Sequence, residues 1–260
     1  MSTRSDLAVA AYDGVARTVS KSIGFLHTST RLHVYTSMFD STPAKDYTPA
    51  APRLWMYDFL CAVLTKASRW RAALTRQIEP SAGDVIADIG CGTGTQMQLL
   101  ARSCSAIRLI GIDPDPPVIE RARRKLDGID GIQVPIELAR GYARDAGRLL
   151  SGRGVNKIVS SLVFHQVPPA EKHAGLVAMH AALIPGGTLH VAEYGLRRTP
   201  QMRKRFRIVQ KGDGFENTEP NAQGVLPEIM VAVGLRDVAE THVIETSTGS
   251  ISVYRARRAS

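Results

Sequence analysis

An α/β fold, a mostly parallel doubly wound sheet with helices on both faces, is predicted by three observations. Short apolar strands alternate with helical runs of about ten or more residues from Val85 to Tyr194. The first strand ends in an acid and a glycine turn, Asp88-Ile89-Gly90-Cys91-Gly92-Thr93-Gly94. The chain finishes in two β-rich runs joined by a short turn. Strands of this kind separated by helices form a parallel sheet covered on both faces, with right-handed crossovers.

The elements follow in order. Residues 1–80 show no strand alternation. Apolar residues recur at helical spacing from Leu54 to Leu74, through Phe59, Leu60, Val63 and Leu64, after the breakers Pro43, Pro49 and Pro52. Residues 1–80 are therefore read as a helical cap or lid beside a main domain of residues 81–260. Val85–Ile89 is the first strand and Thr95–Ser105 the first helix of that domain. Arg108–Asp113 and Pro117–Leu126 form the second pair, and a third strand lies within Val134–Arg140. Lys157–Ser160 is the fourth strand, followed by a helix from Pro169 to Leu183, and Thr188–Tyr194 is the fifth. Residues 196–225 read as an insertion over the substrate side. A helix over Leu226–Val233 is closed by Gly234. Val238–Glu245 and Ser250–Arg257 read as a terminal hairpin.

Size and composition bound the function. The 260 residues can bury a full core, and apolar residues make up 44%. Cys61, Cys91 and Cys104 have no paired spacing, which fits a reducing cytoplasm. The start of the chain lacks a long apolar core, and no run of 18 apolar residues occurs, so neither a signal peptide nor integral membrane association is expected. The formal charge is +9, and seven basic residues with no acid lie between Arg197 and Lys211. That run reads as a solvated helix, or as a surface for nucleic acid or anionic lipid. No aromatic interleaving or zinc spacing supports nucleic acid. No His/Cys/Asp cluster points to a catalytic metal.

Four features fall at the C-terminal ends of successive strands, where ligands bind in such sheets. These are the Asp88–Gly94 turn, Asp113, the loop Gly141–Ala146, and the segment Ser160–His165. Glycines let the backbone turn tightly and approach a ligand, and the following helix presents free N–H groups. Asp113, nineteen residues beyond Gly94, can accept two charge-assisted hydrogen bonds from a ribose diol. A carboxylate at Asp88, just before the turn, would repel a pyrophosphate. It would not repel a cofactor with an amino group, a sulfonium and no phosphates. The chemistry thus favours S-adenosyl-L-methionine over a nicotinamide dinucleotide, although Asp88 could also serve only to cap the turn.

The strings VIADIGCGTG (Val85–Gly94), GIDPDPPVIERARRK (Gly111–Lys125), GYA (Gly141–Ala143), KIVSSLVFHQVP (Lys157–Pro168) and LIPGGTLHVAEYG (Leu183–Gly195) resemble the class I S-adenosylmethionine-dependent methyltransferases. The likeness is to the small-molecule group that includes the ubiquinone and menaquinone biosynthesis enzymes, and it covers residues 54–258. It implies a Rossmann-like seven-stranded sheet of order 3-2-1-4-5-7-6 with strand seven antiparallel. It also implies a cofactor-binding set. Asp88, Gly90 and Gly92, with Cys91 and Gly94 of the same turn, would face the methionine part. Asp113 would hold the ribose and Pro114 would lie along the adenine. Tyr142 and Ala143 would border the adenine where many relatives carry an aspartate, and Asp145 could replace that acid under a shifted alignment. Ser160 and Leu162 would lie near the cofactor at the exit of strand four.

Methyl transfer needs positioning and desolvation, and it needs a base only where the acceptor must lose a proton. His165 is the candidate base, or else a structural histidine. Glu193 and Tyr194 could touch substrate or stabilise the loop. His190 is read as facing the sheet packing or its edge. The acceptor is expected to be a small molecule methylated on oxygen, nitrogen or carbon in a biosynthetic or secondary-metabolic pathway. Nucleic acid is not expected as a partner, since the place of an NPPY- or DPPY-type motif holds SSLVFHQVPP. A homodimer is possible. An inactive methyltransferase-like binding module and a nucleotide-cofactor oxidoreductase are the competing readings.

Overall fold

The computed structural model describes residues 63–127 and 134–260. Most of the expected N-terminal cap, residues 1–62, lies outside the described residues. The described elements are α1 (Ala67–Ile78), β1 (Val85–Ile89), α2 (Thr95–Ser103), β2 (Arg108–Asp113), α3 (Pro116–Asp127) and β3 (Ile136–Arg140). A short 3-10 turn (Ala143–Asp145) leads into α4 (Ala146–Leu149) and β4 (Lys157–Ser161). A second 3-10 turn (Phe164–Gln166) precedes α5 (Pro169–Ala182) and β5 (Thr188–Tyr194). The chain ends with α6 (Pro200–Asp213), α7 (Phe215–Ala222), α8 (Leu226–Ala232), β6 (Arg236–Thr246) and β7 (Gly249–Arg257).

The seven strands form one sheet of order β3-β2-β1-β4-β5-β7-β6. β1 to β5 are parallel, and β7 runs antiparallel between β5 and β6. The order reverses between β1 and β4, which opens a crevice at their carboxyl ends. Register puts Asp88 beside Gly111 and Asp113 beside Arg140, so both acids reach the same end of the sheet.

Of the helix expected over Leu54–Leu74, residues 54–62 lie outside the described residues, and the rest is helical except for a turn at Thr65 and Lys66. Lys66 takes left-handed backbone angles (φ 52°), and α1 starts at Ala67 and runs to Ile78. Its stop is Glu79, also left-handed at φ 47°. Trp70, Leu74 and Ile78 of α1 share a buried core with Ile86, Met97, Leu100 and Leu109. This segment of the expected cap is therefore part of the layer that covers the sheet. Between β5 and α8, residues 200–222 form α6 and α7. Thr199 caps α6, its hydroxyl accepting the Met202 N–H at 3.1 Å, and Pro200 occupies the first turn, where no N–H is missed.

The basic run is not all solvated. Arg197 is 3% exposed, and its guanidinium lies 3.6 Å from the Phe206 ring centroid. It donates to the Gly195 carbonyl at 2.5 Å and the Ser250 carbonyl at 3.2 Å. Burial lowers its pKa to about 10. The sequence pattern missed this because a lone arginine at a helix approach carries no sign of the hairpin it will meet. Arg203, Lys204, Arg207 and Lys211 remain exposed.

Candidate active site

The crevice at the strand ends opens into a cavity of about 1370 Å³. Of the residues singled out in the sequence, Gly90, Cys91, Gly92, Asp113, Pro114, Tyr142, Ala143, Leu162, His165 and Tyr194 line it together. Asp88, Gly94, Asp145, Ser160 and Glu193 lie behind that lining.

The glycine turn is shaped by close packing on one side and open space on the other. Gly90 has φ +72°, and a Cβ there would sit 2.1 Å from Val163 Cγ2. Gly92 has φ +55°, and a Cβ there would meet nothing within 4 Å. The first glycine admits the strand-four loop, and the second leaves the cavity floor bare. The N–H groups of Gly90 and Cys91 donate to the Ile112 carbonyl at 2.7 and 3.1 Å, which ties the turn to β2.

Two acids flank the turn. Asp113 accepts the Gly92 N–H at one oxygen (3.0 Å) and the Asp115 N–H at the other (3.1 Å). Each oxygen keeps a further lone pair. Burial raises its pKa, while the two backbone hydrogen bonds oppose that rise. Asp88 is 2% exposed, and neither of its carboxylate oxygens has a hydrogen-bond partner among the described residues. Burial pushes its pKa up to about 7; the Arg71 guanidinium opposes that shift and Asp113 adds to it. A buried carboxylate without donors fits a ligand that brings an amino group. Asp113 fits a diol.

The strand-three loop is held from within. Asp145 accepts the Tyr142 N–H at 2.9 Å, so its carboxylate closes the loop and does not line the cavity. Tyr142 and Ala143 present the cavity wall instead. The Arg144 guanidinium lies 4.3 Å from the Tyr142 ring centroid, and it pairs with Glu171 at 2.7 Å.

Ser160 is fully buried and donates to the Ile89 carbonyl at 2.8 Å, so it clips β4 to β1, while its neighbour Ser161 lines the cavity. Leu162 follows in left-handed backbone (φ 57°), a strained conformation for a leucine. That twist aims the next segment, Val163 to Gln166, along the cavity.

His165 is 4% exposed. Its Nδ1 lies 2.7 Å from Glu193 Oε1, and its Nε2 lies 3.6 Å from Asp213 Oδ2 on α6. Glu193 is fully buried. Its carboxylate accepts the N–H groups of Phe164 (2.6 Å), His165 (3.4 Å) and Tyr194 (2.7 Å). The expectation that Glu193 could meet substrate is corrected here: backbone and imidazole donors occupy it, and it stabilises the loop. Burial alone would raise the Glu193 pKa. Attraction and hydrogen bonding to His165, the Tyr194 N–H and the Lys172 charge outweigh burial and hold it below the ordinary value. Glu193 is thus a carboxylate at neutral pH, and His165 must keep Nδ1 protonated to donate to it. Tyr194 lines the cavity, its hydroxyl 2.8 Å from Thr248 Oγ1 and its ring edge-on to His165 at 4.9 Å.

Two residues of this cluster carried no sequence signal. Asp213 lines the cavity from the last turn of α6. Lys172 is 1% exposed on α5; its ammonium donates to the Phe164 carbonyl and, at 2.8 Å, to the Asn217 carbonyl of α7. Burial lowers the Lys172 pKa to about 7, with Glu193 opposing. Only the fold brings these groups to His165. His190, by contrast, stays in the sheet layer as expected, buried between Gln77 and Thr188. Among the described residues, no three His, Cys, Asp or Glu side chains gather to hold a metal ion, and no helix is long and apolar enough to cross a membrane.

The sheet order is that of a Rossmann-like fold, and the bare glycine floor and the two strand-end acids lie at the end of the sheet where its order reverses. Residues 86–187 match the model of a family described as a methyltransferase domain. The chain is 28% identical over 142 residues to a demethylmenaquinone methyltransferase of Clavibacter sepedonicus, covering 55% of this chain and 54% of that protein. It is 26% identical over 162 residues to a carboxy-S-adenosyl-L-methionine synthase of Citrobacter koseri, covering 60% and 62%. The chain thus spans just over half the length of these curated relatives. Among solved structures, it shares the fold of a magnesium protoporphyrin IX methyltransferase from Synechocystis with bound SAH. That match has a TM-score of 0.57 at 14% identity and covers 89% of this chain and 95% of the other. A SAM-dependent methyltransferase from Methanosarcina mazei matches with a TM-score of 0.53 at 21% identity, covering 70% and 95%.

Proposed function

We propose that this protein transfers a methyl group from S-adenosyl-L-methionine to a small organic acceptor, on oxygen, nitrogen or carbon, in a biosynthetic pathway. The observation that carries the reading is one continuous cavity. Gly92 and Asp113 line it, and so do His165, Tyr194 and Asp213. Donor-binding groups and candidate acceptor groups therefore share a single space.

When bound, the cofactor supplies an activated methyl group on a sulfonium. The residues of the chain do the rest. Asp113 would receive the ribose diol, and Asp88, buried behind the glycine turn, would place a negative charge near the amino group of the methionine part. Tyr142 and Pro114 line the part of the cavity that would hold the adenine. Leu162 and Val163 shape the wall between the two ends. His165 holds a proton at Nδ1 against Glu193 and leaves Nε2 as a proton acceptor. α6 and α7 cover the acceptor end, and Val209 and Ile208 help to exclude water.

The test supplies the protein with donor carrying an isotope-labelled methyl group and a small-molecule extract, followed by mass spectrometry. Wild type is expected to label a product that Gly92→Arg, whose side chain fills the cavity floor, does not. Equal labelling by both proteins contradicts the reading.

A further inference from the structure

The helix that covers the acceptor end also carries a carboxylate that faces the candidate base. We propose that Asp213 completes a Glu193–His165–Asp213 relay. In this relay His165 Nε2 takes a proton from the acceptor, and the lid carboxylate stabilises the imidazolium that results. The proposal rests on the methyl-transfer reading and narrows its acceptor. The attacking atom is one that carries an ionisable hydrogen, such as a hydroxyl or an ammonium group.

The geometry supports each link. Glu193 Oε1 holds Nδ1 at 2.7 Å from inside the sheet, which fixes the ring and its tautomer. On the other side of the ring, Nε2 faces Asp213 Oδ2 at 3.6 Å, and both residues line the cavity. That separation is an ion-pair distance just beyond a hydrogen bond. Asp213 is partly buried at 16% side-chain exposure, so its charge acts through a medium less screening than water. Its pKa is raised by burial, against the pull of His165.

The lid that carries Asp213 is stitched to the His165 turn. Lys172 donates to the Asn217 carbonyl, and the Asn217 amide donates to the Gln166 carbonyl at 3.1 Å and to the Asp213 carbonyl at 3.3 Å.

The charged and titratable groups around His165 come from three elements. Glu193 and Tyr194 stand on β5, Lys172 on α5 and Asp213 on α6. The two carboxylates favour the imidazolium, and the buried Lys172 ammonium opposes it. In the step itself the acceptor X–H bond breaks and its proton bonds to Nε2. The X–C bond forms as the methyl–sulfur bond breaks, and sulfur keeps that electron pair. The proton then leaves through Asp213 to solvent.

The experiment needs no acceptor. Histidine imidazole signals of the full chain are titrated by nitrogen-15 NMR with S-adenosylhomocysteine present, and His165 is assigned by the signal lost in His165→Gln. Asp213→Asn is expected to shift the His165 midpoint down by at least half a pH unit, with S-adenosylhomocysteine affinity within two-fold of wild type. A shift smaller than half a unit overturns the relay. Glu193→Gln adds a second readout: neutral His165 in wild type is expected to show the Nδ1–H tautomer, and this preference weakens in the variant. A wild-type Nε2–H tautomer also overturns the relay. Failure of wild type to bind S-adenosylhomocysteine would instead count against the methyl-donor reading, while the ligand-free titration still reports the His165–Asp213 coupling.

Discussion

Asp88 is the residue with the clearest conflict between fold and function. In the ligand-free chain it is buried without hydrogen-bond donors among the described residues, and its pKa rises to about 7. A raised carboxyl costs nothing while protonated in both states, below about pH 4. Stability falls as pH climbs, because the unfolded chain ionises first, and the loss is complete above pH 7. Asp88→Asn removes that loss. In urea unfolding it is expected to exceed wild type at pH 8 by on the order of 2–4 kcal/mol and to match it at pH 4. The same variant should bind S-adenosylmethionine at least ten-fold more weakly, since an amide meets an ammonium group poorly. A stable variant that keeps full affinity would leave Asp88 as a turn residue only. The place of Asp88 was legible from the apolar run and the glycines after it. Its lack of partners was not, because that depends on which side chains the fold brings within reach.

At the scale of elements, two packing claims can be measured. Trp70 is fully buried where α1 covers the sheet. Trp70→Ala is expected to destabilise the chain by about 3–5 kcal/mol in urea unfolding. A change below 1 kcal/mol would show that α1 is an appendage and not part of the core layer. The second claim concerns the foot of β1 and β4. There Asp84 pairs with Lys157 at 2.7 Å and accepts from Asn156 at 2.6 Å and from the Ser81 N–H at 2.7 Å. Burial would raise its pKa, but these partners together hold it below the ordinary value. The sign is opposite to that of Asp88: the pairing stabilises above the unfolded pKa and is lost as pH falls through the folded one. Asp84→Asn is therefore expected to destabilise at pH 7, and its gap from wild type to narrow as the pH falls below the ordinary carboxylate range, as read by thermal unfolding. The strands and crossover helices were legible because burial on both faces demands continuous apolar runs between glycine and proline breaks. The start of α1 was not, because the left-handed turn at Lys66 sits inside a pattern that still looks helical. The roles of α6 and α7 were also hidden, since their contacts with His165 span some fifty residues of sequence.

At the scale of the whole molecule, the seven-stranded sheet opens at its strand ends into one cavity, in which we propose that a methyl donor and its acceptor meet. The resemblance in the strand-end motifs anticipated the sheet order and its antiparallel seventh strand. It could not specify which motif residues reach the cavity, because Ser160 and Asp145 are each held by a hydrogen bond to backbone, and Glu193 by three backbone N–H groups and the His165 imidazole. The central claim is that the Gly90–Gly92 floor and Asp113 receive S-adenosylmethionine. Titration calorimetry with S-adenosylhomocysteine on folded wild type, Gly92→Arg and Asp113→Ala tests it most directly. The account predicts saturable one-to-one binding to wild type and a loss of at least a hundred-fold in each variant. Equal affinity across all three proteins would contradict it.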